Sequence, residues 1–464
     1  MGSREEGIMV DKLSGSGLVA VSAVMLHLLL AAWATPASAQ GASEDPAARM
    51  LATEQAGGAF SETLTGAWGG ARSDLRDGGV DLYANFQTES AWNPVGGKRE
   101  AIAYTQQLEF GANLDLEKMA GFSGTAFHAR MSHRAGRSLA ADALGSMFPV
   151  QQLYGAGQTL RLSELNLTQS LLDDRLWLRV GWAPLGNDFA TTPIACPFQN
   201  NMVCGHASAL TQNSGARNSP VGQWGAQARF MISPILSVAT GIFRFNPDAG
   251  NRDDGLDLGF KGTGAFVPVE MVWSPRDAAT GLPSTALKIG AYYNSAKTPD
   301  VYFDGNHGSA GLTGQPFHQH DGRWGAYAQI TQRIFREQAN PARGMTLFGL
   351  GGIGDAATAR FRHMIAVGGR YMGTFSGRDA DYVSLIVGRS EINPRLSRYQ
   401  RDRDLVMPGA IDVQTSETLV EMDYHAQVTP WLFLRPNLQY VIRPGGAGKI
   451  PDALVAGLST RIDF

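Results

Sequence analysis

From residue 80 to the end, the chain contains segments in which apolar and polar side chains alternate. This period of two is typical of β-strands that have one apolar and one polar face. Clusters of Gly, Pro, Asn and Asp interrupt the alternation and mark turns. The pattern predicts sixteen strands, at 80–93, 101–116, 122–136, 159–171, 175–185, 221–233, 235–246, 265–274, 284–295, 323–335, 344–354, 363–375, 381–393, 416–429, 432–444 and 453–464.

The connections between these predicted strands alternate between long and short. The long ones include 137–158, 186–220, 296–322 and 394–415, and the short ones include 117–121, 173–174 and 430–431. Bacterial transmembrane β-barrels have an even number of antiparallel strands, long extracellular loops and short periplasmic turns. The pattern therefore predicts an all-β protein whose residues 80–464 form a 16-stranded antiparallel transmembrane β-barrel.

The faces of the predicted strands indicate which side chains contact lipid. In the last strand Leu458 and Ile462 share one face, whereas Ser459 lies on the other. We expect the apolar face to contact lipid and the polar face to line a water-filled interior. The strands at 159–171 and 235–246 lose their alternation midway, which predicts a β-bulge in each.

The N-terminal part of the chain has a different pattern. An apolar run at 17–34 is followed by Ala37-Ser38-Ala39, an A-x-A cleavage pattern. We predict a signal peptide at 1–39, with a single membrane anchor as the alternative. Residues 40–79 are then a periplasmic leader with one short helix between positions 64 and 76. No later run reaches the ~20 apolar residues that a spanning helix needs.

Composition and motifs exclude several classes of function. The chain has 39 Lys and Arg against 42 Asp and Glu, a net charge of -3, so we expect no nucleic-acid partner. A G-x-G-x-x-G match at 349–354 lies in a strand without a following helix. P-loop, H-E-x-x-H and G-x-S-x-G patterns do not occur in the sequence. We expect neither enzymatic activity nor a cofactor.

Two cysteines, Cys196 and Cys204, lie eight positions apart in the long connection at 186–220. A secreted protein folds in an oxidising compartment, so the pair predicts a disulfide. A metal site that uses His206 as a further ligand is the weaker alternative, because no C-x-x-C or H-x-x-x-H companion completes it.

The inward faces of the predicted strands carry the candidate substrate-binding residues. These are Trp177, Arg179, Arg130, Glu109, His128, Glu89, Arg435, Asn437, Gln439 and Glu421. Mixed Arg and carboxylate rows offer hydrogen-bond donors and acceptors that suit a neutral, polyhydroxylated solute. The Trp177 ring could stack on the apolar face of a sugar while Arg179 bonds its hydroxyls. Alternatively, these side chains only fill and neutralise the interior through ion pairs.

Three stretches of the chain carry a more specific pattern. The first is Thr65-Gly66-Ala67-Trp68-Gly69-Gly70-Ala71-Arg72 with Leu75 and Gly78-Gly79-Val80. The second contains Arg179-Val180-Gly181-Trp182, Asp188-Phe189 and Ala195-Cys196-Pro197-Phe198-Gln199-Asn200. The third contains 417–429, Pro430-Trp431, Pro436-Asn437-Leu438-Gln439-Tyr440 and Pro444-Gly445. Together they resemble the OprB-type carbohydrate-selective porins over nearly the whole mature chain.

The resemblance implies a sixteen-stranded barrel with a periplasmic N-terminal helix and extracellular loops folded into the lumen. It also implies sugar diffusion through a constriction, which we expect the connection at 186–220 to form. The first hypothesis is passive, selective diffusion of mono- and small oligosaccharides across the outer membrane of a Gram-negative bacterium.

Two alternatives remain open at this point. One is a general or carboxylate-preferring channel, and the other is a surface adhesion protein built from β-repeats. The absence of a recurring period of roughly 20 to 50 residues counts against the repeat protein. Sugar, outer-membrane lipid and lipopolysaccharide are the expected partners, and the sequence leaves monomer and trimer open.

Overall fold

The computed structural model describes residues 62–206, 208–276, 281 and 283–464. The predicted signal peptide and most of the leader lie outside the described residues. Within them, sixteen strands form a closed barrel in which each strand pairs antiparallel with its two neighbours. The predicted fold class is confirmed.

Every predicted segment corresponds to one barrel strand. In chain order the barrel strands are β1 (Val80–Val95), β2 (Ala101–Asp115), β3 (Thr125–Gly136), β4 (Leu160–Leu171), β5 (Leu176–Ala183), β6 (Gln223–Ser233), β7 (Leu236–Phe245), β8 (Gly264–Trp273), β9 (Thr285–Asn294), β12 (Arg323–Arg336), β13 (Gly344–Gly354), β14 (Phe361–Met372), β15 (Tyr382–Ile392), β16 (Ser416–Thr429), β17 (Leu432–Ile442) and β18 (Ala453–Asp463). Two further strands, β10 (Thr298–Asp304) and β11 (Phe317–His320), form a separate hairpin.

The first and last strands close the barrel. β1 pairs with β18 from Asn85 opposite Asp463 to Val95 opposite Leu454. The hydroxyls of Thr88 on β1 and its β18 partner Thr460 lie 2.9 Å apart. Closure leaves no sheet edge with unpaired N–H and C=O groups, which a strand in a lipid bilayer requires.

The alternation along the strands separates the two faces as predicted. Leu438 and Leu458 are 55% and 41% exposed on the outer face, whereas Ser459 and Val455 are fully buried on the inner face. An exposed apolar belt is unfavourable in water and favourable against lipid acyl chains. The barrel surface is therefore suited to a membrane.

One of the two predicted bulges is confirmed. In β4 the register against β3 shifts where Arg130 lies opposite Glu164 and Met131 lies opposite Leu162. The extra residue, Ser163, leaves both Ser163 and Glu164 buried on the inner side. In the β6–β7 pair the shift falls between Met231 and Ser233, so the irregular strand is β6 and the prediction for 235–246 was wrong.

The described helices are short. They are α1 (Ala71–Asp77), α2 (Leu116–Ala120), α3 (Ser208–Ser214), α4 (Ala310–Thr313) and α5 (Pro394–Val406). None of these described helices has the length and apolar character needed to cross a membrane.

Helix α1 is shorter than the segment predicted between positions 64 and 76, and it packs at the end of the barrel that carries the short turns. The Arg72 guanidinium donates hydrogen bonds to the Leu82 carbonyl at 2.7 Å and to the Thr63 hydroxyl at 3.0 Å. The Leu64 N–H donates to the carbonyl of Asp463, the last residue of β18, at 2.8 Å. These bonds attach the leader to both strands at which the barrel closes.

The opposite end of the barrel carries elements that strand alternation does not predict. The hairpin β10–β11 and helices α4 and α5 form a unit that we call the loop cap. The Tyr302 hydroxyl on β10 donates to the Asp402 carboxylate on α5 at 3.0 Å. Helix α5 is polar around most of its circumference, so it shows no apolar period. Its only sequence signal is Asn393 before Pro394, an N-cap followed by Pro at the first helical position.

The buried carboxylate of Asp300, which is 3% exposed, joins three parts of the loop cap. Arg395 on α5 donates to both of its oxygens at 2.8 Å, and His320 Nε2 lies 2.9 Å away. The backbone N–H groups of Tyr302 and Phe303 donate at 2.7 and 2.9 Å. Burial by itself raises the pKa of Asp300, but these hydrogen bonds outweigh it and the pKa is lowered.

Asp300→Asn is expected to loosen the cap by about 1–3 kcal/mol, because the amide leaves one donor of Arg395 without an acceptor. A lowered carboxyl pKa adds stability that is present above the unfolded value of about 3.9 and is lost as the pH falls through the folded value. We therefore expect wild-type cap protection to fall below about pH 4 and the variant to respond less. Hydrogen exchange of 298–320 and 394–406 measures both effects. Asp412→Asn, which removes an exposed pair with Lys449, is the control that should change little.

Two long connections enter the barrel. Loop L2 spans 137–159 between β3 and β4, and loop L3 spans 184–222 between β5 and β6. Phe148 of L2 and Phe198 of L3 are at most 1% exposed and belong to one apolar cluster with Ile386 and Leu419 on the barrel wall. Burying such side chains favours the inserted position of the loops.

This cluster corrects the prediction of a polar, water-filled interior. The inner faces of β13 to β18 contribute Phe348, Met364, Ile386 and Leu419, which are at most 4% exposed. The prediction failed there because it used strand alternation alone and took no account of loops that carry their own apolar side chains. The polar part of the lumen is confined to the remaining space.

Candidate functional site

Loop L3 crosses the interior of the barrel. The Ala190 N–H donates to Glu270 on β8 at 2.7 Å, and the Gln199 N–H donates to Glu421 on β16 at 2.7 Å. In the barrel, β8 and β16 are separated by β9, β12, β13, β14 and β15. Residues 190–199 therefore run between nearly opposite walls and narrow the lumen, as the sequence analysis expected for this connection.

The clearest group of partly exposed inward side chains lies on β3, β5 and β6. Trp177 and Arg179 on β5 lie opposite Arg229 and Gln227 on β6. The Arg179 guanidinium carbon lies 5.0 Å from the centre of the Trp177 ring, and that of Arg229 lies 5.7 Å from it. These are cation–π distances. The structure thus brings the predicted pair together and adds Arg229 to it. We call Trp177, Arg179 and Arg229 the aromatic–arginine group.

The position of Arg179 is also set by the constriction loop. Its Nη1 donates to the carboxylate of Asp188 in L3, and the two side chains are 16% and 13% exposed. Because Asp188 follows β5 closely, the loop and the aromatic–arginine group are coupled. Asp188 was predicted only as part of a family motif, since no strand periodicity applies to a loop residue.

His128 on β3 faces the lumen beside this group. Its Nδ1 lies 2.8 Å from Asn113 Oδ1 and its Nε2 lies 3.0 Å from the Thr168 hydroxyl. Both ring nitrogens are therefore engaged by the wall. A solute that approaches His128 meets the ring face and the neighbouring amide and hydroxyl.

Two other predicted site residues form a buried ion-pair network. Arg130 is 4% exposed, and Glu109 and Glu164 are each 8% exposed. Arg130 Nη1 lies 3.4 Å from Glu109, and its Nη2 donates to Glu164, which also accepts from Asn187 of L3 at 2.6 Å. Glu164 was not predicted as a site residue, because the bulge in β4 changes which side chains of that strand point inward. This trio fits the alternative that lumen charges neutralise one another.

Glu89 and Glu421 contact the inserted loops rather than open lumen. Both are fully buried. Glu89 accepts the Leu153 N–H of L2 at 3.0 Å, and the two oxygens of Glu421 accept the N–H groups of Gln199 and Asn200 at 2.7 and 3.0 Å. In this structure their hydrogen-bonding capacity is directed at main-chain donors of L2 and L3.

Asn437 and Gln439 on β17 contact the same part of L3. Asn437 Nδ2 donates to Gln199 Oε1 at 2.8 Å, and Gln439 Oε1 accepts from Asn200 Nδ2 at 2.9 Å. Asn437 is 5% exposed and Gln439 is fully buried. Their inward direction agrees with the predicted phase of β17, but the loop occupies the space they face.

Arg435, the last predicted site residue, belongs to an aromatic stack on the wall. Its guanidinium carbon lies 5.2 Å from the Phe433 ring. The His425 ring lies 4.5 Å from Phe433 on one side and 4.5 Å from Tyr382 on the other, and Arg370 covers Tyr382 at 4.0 Å. The stack needs the register that places Tyr382 opposite His425, which the alternation of a single strand does not predict.

The predicted disulfide is not formed in the structure. Cys196 and Cys204 are both present as thiols. The Cys204 thiol donates to the side-chain carbonyl of Gln152 in L2 and lies 3.5 Å from the Cys196 carbonyl oxygen. Burial raises the pKa of the Cys204 thiol. Contact between L2 and L3 therefore replaces the covalent link expected within L3.

His206 does not complete a metal site with these cysteines. Its Nε2 lies 2.7 Å from the Gly186 carbonyl oxygen. Across the described ranges, no group of three or more His, Cys, Asp or Glu side chains is arranged to hold a metal ion.

A closed sixteen-stranded barrel, an apolar outer belt and a lumen narrowed by an inserted loop together define a porin. Comparison with known proteins agrees. The family described as carbohydrate-selective porin, OprB family, matches residues 99–464. Porin B of Pseudomonas aeruginosa is 33% identical over 423 residues, which are 87% of this chain and 92% of that protein.

A second relative and a solved structure show the same similarity. The putative porin QuiX of Acinetobacter baylyi is 29% identical over 422 residues, covering 86% of this chain and 93% of that protein. The high-pH structure of Pseudomonas putida OprB superposes with a TM-score of 0.84 and 33% identity, covering 88% of this chain and 99% of that one. The chain belongs to the OprB family of carbohydrate-selective porins and is an outer-membrane protein. Its long loops are accordingly extracellular and its short turns periplasmic.

Proposed function

We propose that this protein is a porin through which mono- and small oligosaccharides diffuse passively, and that it carries out no enzymatic step. Membership of a carbohydrate-selective family supports the substrate class. Exposed apolar side chains such as Leu438 support lipid and lipopolysaccharide as partners of the outer surface. Export by a cleaved signal peptide at 1–39 is part of the same proposal.

The observation that carries this proposal is the partly exposed group formed by Trp177, Arg179 and Arg229. The guanidiniums provide several N–H donors at fixed positions on an aromatic ring. Two acceptor side chains lie nearby: the Asp188 carboxylate contacts Arg179, and the Asn113 side-chain carbonyl contacts His128. A sugar hydroxyl both donates and accepts hydrogen bonds, so a surface with both functions can replace its hydration water.

The substrate class is tested by the rate at which liposomes containing the protein swell. We expect faster swelling in glucose or arabinose than in zwitterionic amino acids of equal size, because the binding groups are directed at hydroxyls. Equal rates for the sugars and the amino acids would remove the proposed selectivity while leaving the channel intact.

The role of the Trp177 ring is tested with Trp177→Leu. Loss of the ring removes the stacking face and two cation–π contacts of about 0.5–1 kcal/mol each, so neither guanidinium is held against an aromatic ring. We expect weaker block of the ion current by sugar, by about threefold to tenfold. Trp92→Leu, on the lipid-facing side near the extracellular loops, is the matched control and should leave sugar block unchanged. Unchanged block in Trp177→Leu would dismiss the aromatic–arginine group as a sugar site.

A general or carboxylate-preferring channel remains the second candidate. The observation that favours it is the number of inward guanidiniums, among them Arg179, Arg229 and Arg370. A carboxylate channel should show marked anion selectivity in single-channel recordings and block by small dicarboxylates. A sugar channel should show weak ion selectivity and block by sugars.

A further inference from the structure

Four inward glutamates share one feature that ordinary pore lining does not explain. Glu89 on β1, Glu270 on β8, and Glu417 and Glu421 on β16 are each at most 1% exposed. Each accepts a main-chain N–H from L2 or L3. We propose that these four residues, the latch glutamates, hold L2 and L3 in the lumen and thereby set the width of the pore. This inference rests on the proposed channel function.

Glu417 and Glu270 show the same bonding as the two glutamates described above. Glu417 Oε2 accepts the Met147 N–H of L2 at 2.7 Å and the Gly445 N–H at 2.7 Å. Glu270 Oε2 accepts the Ala190 N–H of L3 at 2.7 Å and the Tyr327 hydroxyl at 2.9 Å. Each carboxylate therefore joins a barrel strand to a loop that is distant in sequence.

A carboxylate suits this task for a chemical reason. Ionised Glu offers only acceptors, and the two oxygens of Glu421 take the successive N–H groups of Gln199 and Asn200. An amide at position 421 would present its own N–H₂ to one of the two donors, so only one bond could form.

The positions of the latches explain how they control the pore. Glu270 holds L3 at Ala190 on one wall and Glu421 holds it at Gln199 on a nearly opposite wall, so the residues between them cross the lumen under restraint at both ends. Glu89 and Glu417 hold L2, which contacts L3 where the Asn201 N–H donates to the Pro149 carbonyl at 2.9 Å. Release at one wall would let this part of L3 move away from its position across the pore.

Burial alone does not make a carboxylate a latch. Asp423 lies two residues from Glu421 on the same face of β16 and is 2% exposed. Within the described residues its carboxylate accepts no hydrogen bond from L2 or L3, and the groups that act on it, Arg435, Arg370 and Ser384, belong to the barrel wall. Asp423→Asn therefore neutralises a buried acid at the same place without removing a bond to a loop, and serves as the matched control.

The test compares single-channel recordings of Glu421→Gln and Asp423→Asn in planar bilayers, without sugar. For Glu421→Gln we expect steps to a larger conductance whose occupancy is raised about tenfold, the change expected for losing one hydrogen bond. The double variant Glu421→Gln/Glu270→Gln should remain in the larger state. Asp423→Asn should show the wild-type noise and no steps to the larger state.

The possible outcomes separate the latch from the channel. Wild-type conductance and noise in a folded Glu421→Gln, or identical changes in Asp423→Asn, would overturn the latch proposal. Heat-modifiable migration on a gel checks that each barrel is folded. If Glu421→Gln fails to fold, Glu270→Gln alone releases L3 at Ala190, and the same larger state is expected. A wild-type protein that conducts no ions would contradict the proposed function instead.

Discussion

Arg130→Met is expected to lower the free energy of unfolding by about 3–5 kcal/mol, because it leaves two buried carboxylates without their counter-charge. Arg130, Glu109 and Glu164 are all at most 8% exposed, so water screens the loss poorly. The side-chain volume is nearly conserved, so the effect is electrostatic rather than a cavity. Urea unfolding of the barrel reconstituted in detergent, followed by tryptophan fluorescence, measures the change.

A compensating variant separates charge from packing. Arg130→Met combined with Glu109→Gln and Glu164→Gln contains no buried net charge and should recover most of the lost stability. Lys261→Met removes an exposed pair with Asp257 and should cost less than about 1 kcal/mol. If the triple variant is no more stable than the single one, the network contributes through its shape and hydrogen bonds rather than through charge.

The barrel could be predicted from the sequence because each strand contains its own information. β13 and β16 begin and end at the predicted residues, and the other strands differ by a few residues at their ends. A lipid-facing strand must keep every second side chain apolar, so its period and its phase are both visible. The alternation of long and short connections then indicated which end of the barrel is extracellular, without any information on contacts.

The loops could not be predicted in this way. Helix α5 and the β10–β11 hairpin are stabilised by contacts between distant segments, such as Asp300 with Arg395, rather than by an apolar period. The apolar core within the lumen also depends on pairs such as Phe198 of L3 and Phe348 of β13, whose ring centroids lie 6.1 Å apart. Strand phase shows that Phe348 points inward but not that a loop covers it.

The sequence predicted which site side chains point into the lumen but not which groups they contact. Strand phase placed Trp177 and Arg179 in the lumen, and the structure brings their side chains together. It equally placed Glu89 and Glu421 in the lumen, where L2 and L3 cover them. Glu164 was missed because one extra residue in β4 turns it inward. A disulfide in L3 was predicted because a secreted protein folds in an oxidising compartment, whereas the fold directs the Cys204 thiol towards L2.

Arg179→Glu/Arg229→Glu should shift the ion selectivity of the pore strongly towards cations. Both guanidiniums lie on the same indole ring, on the inner faces of the paired strands β5 and β6. Each substitution changes the local charge by two units, and a unit charge at 4 Å contributes about 1 kcal/mol in water. We expect the ratio of anion to cation permeability to fall on the order of tenfold, measured as a shift of reversal potential in a salt gradient.

Ionic strength and a matched charge change make this selectivity test specific. At about 0.1 M salt the screening length is about 10 Å, so lumen charges act while distant surface charges are largely screened. Arg276→Glu makes the same charge change at an exposed position on a periplasmic turn and should shift the potential little. Equal shifts in both variants would mean that the aromatic–arginine group does not line the ion path.

The same double variant also separates ion control from sugar binding. If Arg179→Glu/Arg229→Glu still passes sugars at the wild-type rate, Arg179 and Arg229 control ions but do not bind the sugar. The sugar path must then rest on other lumen groups.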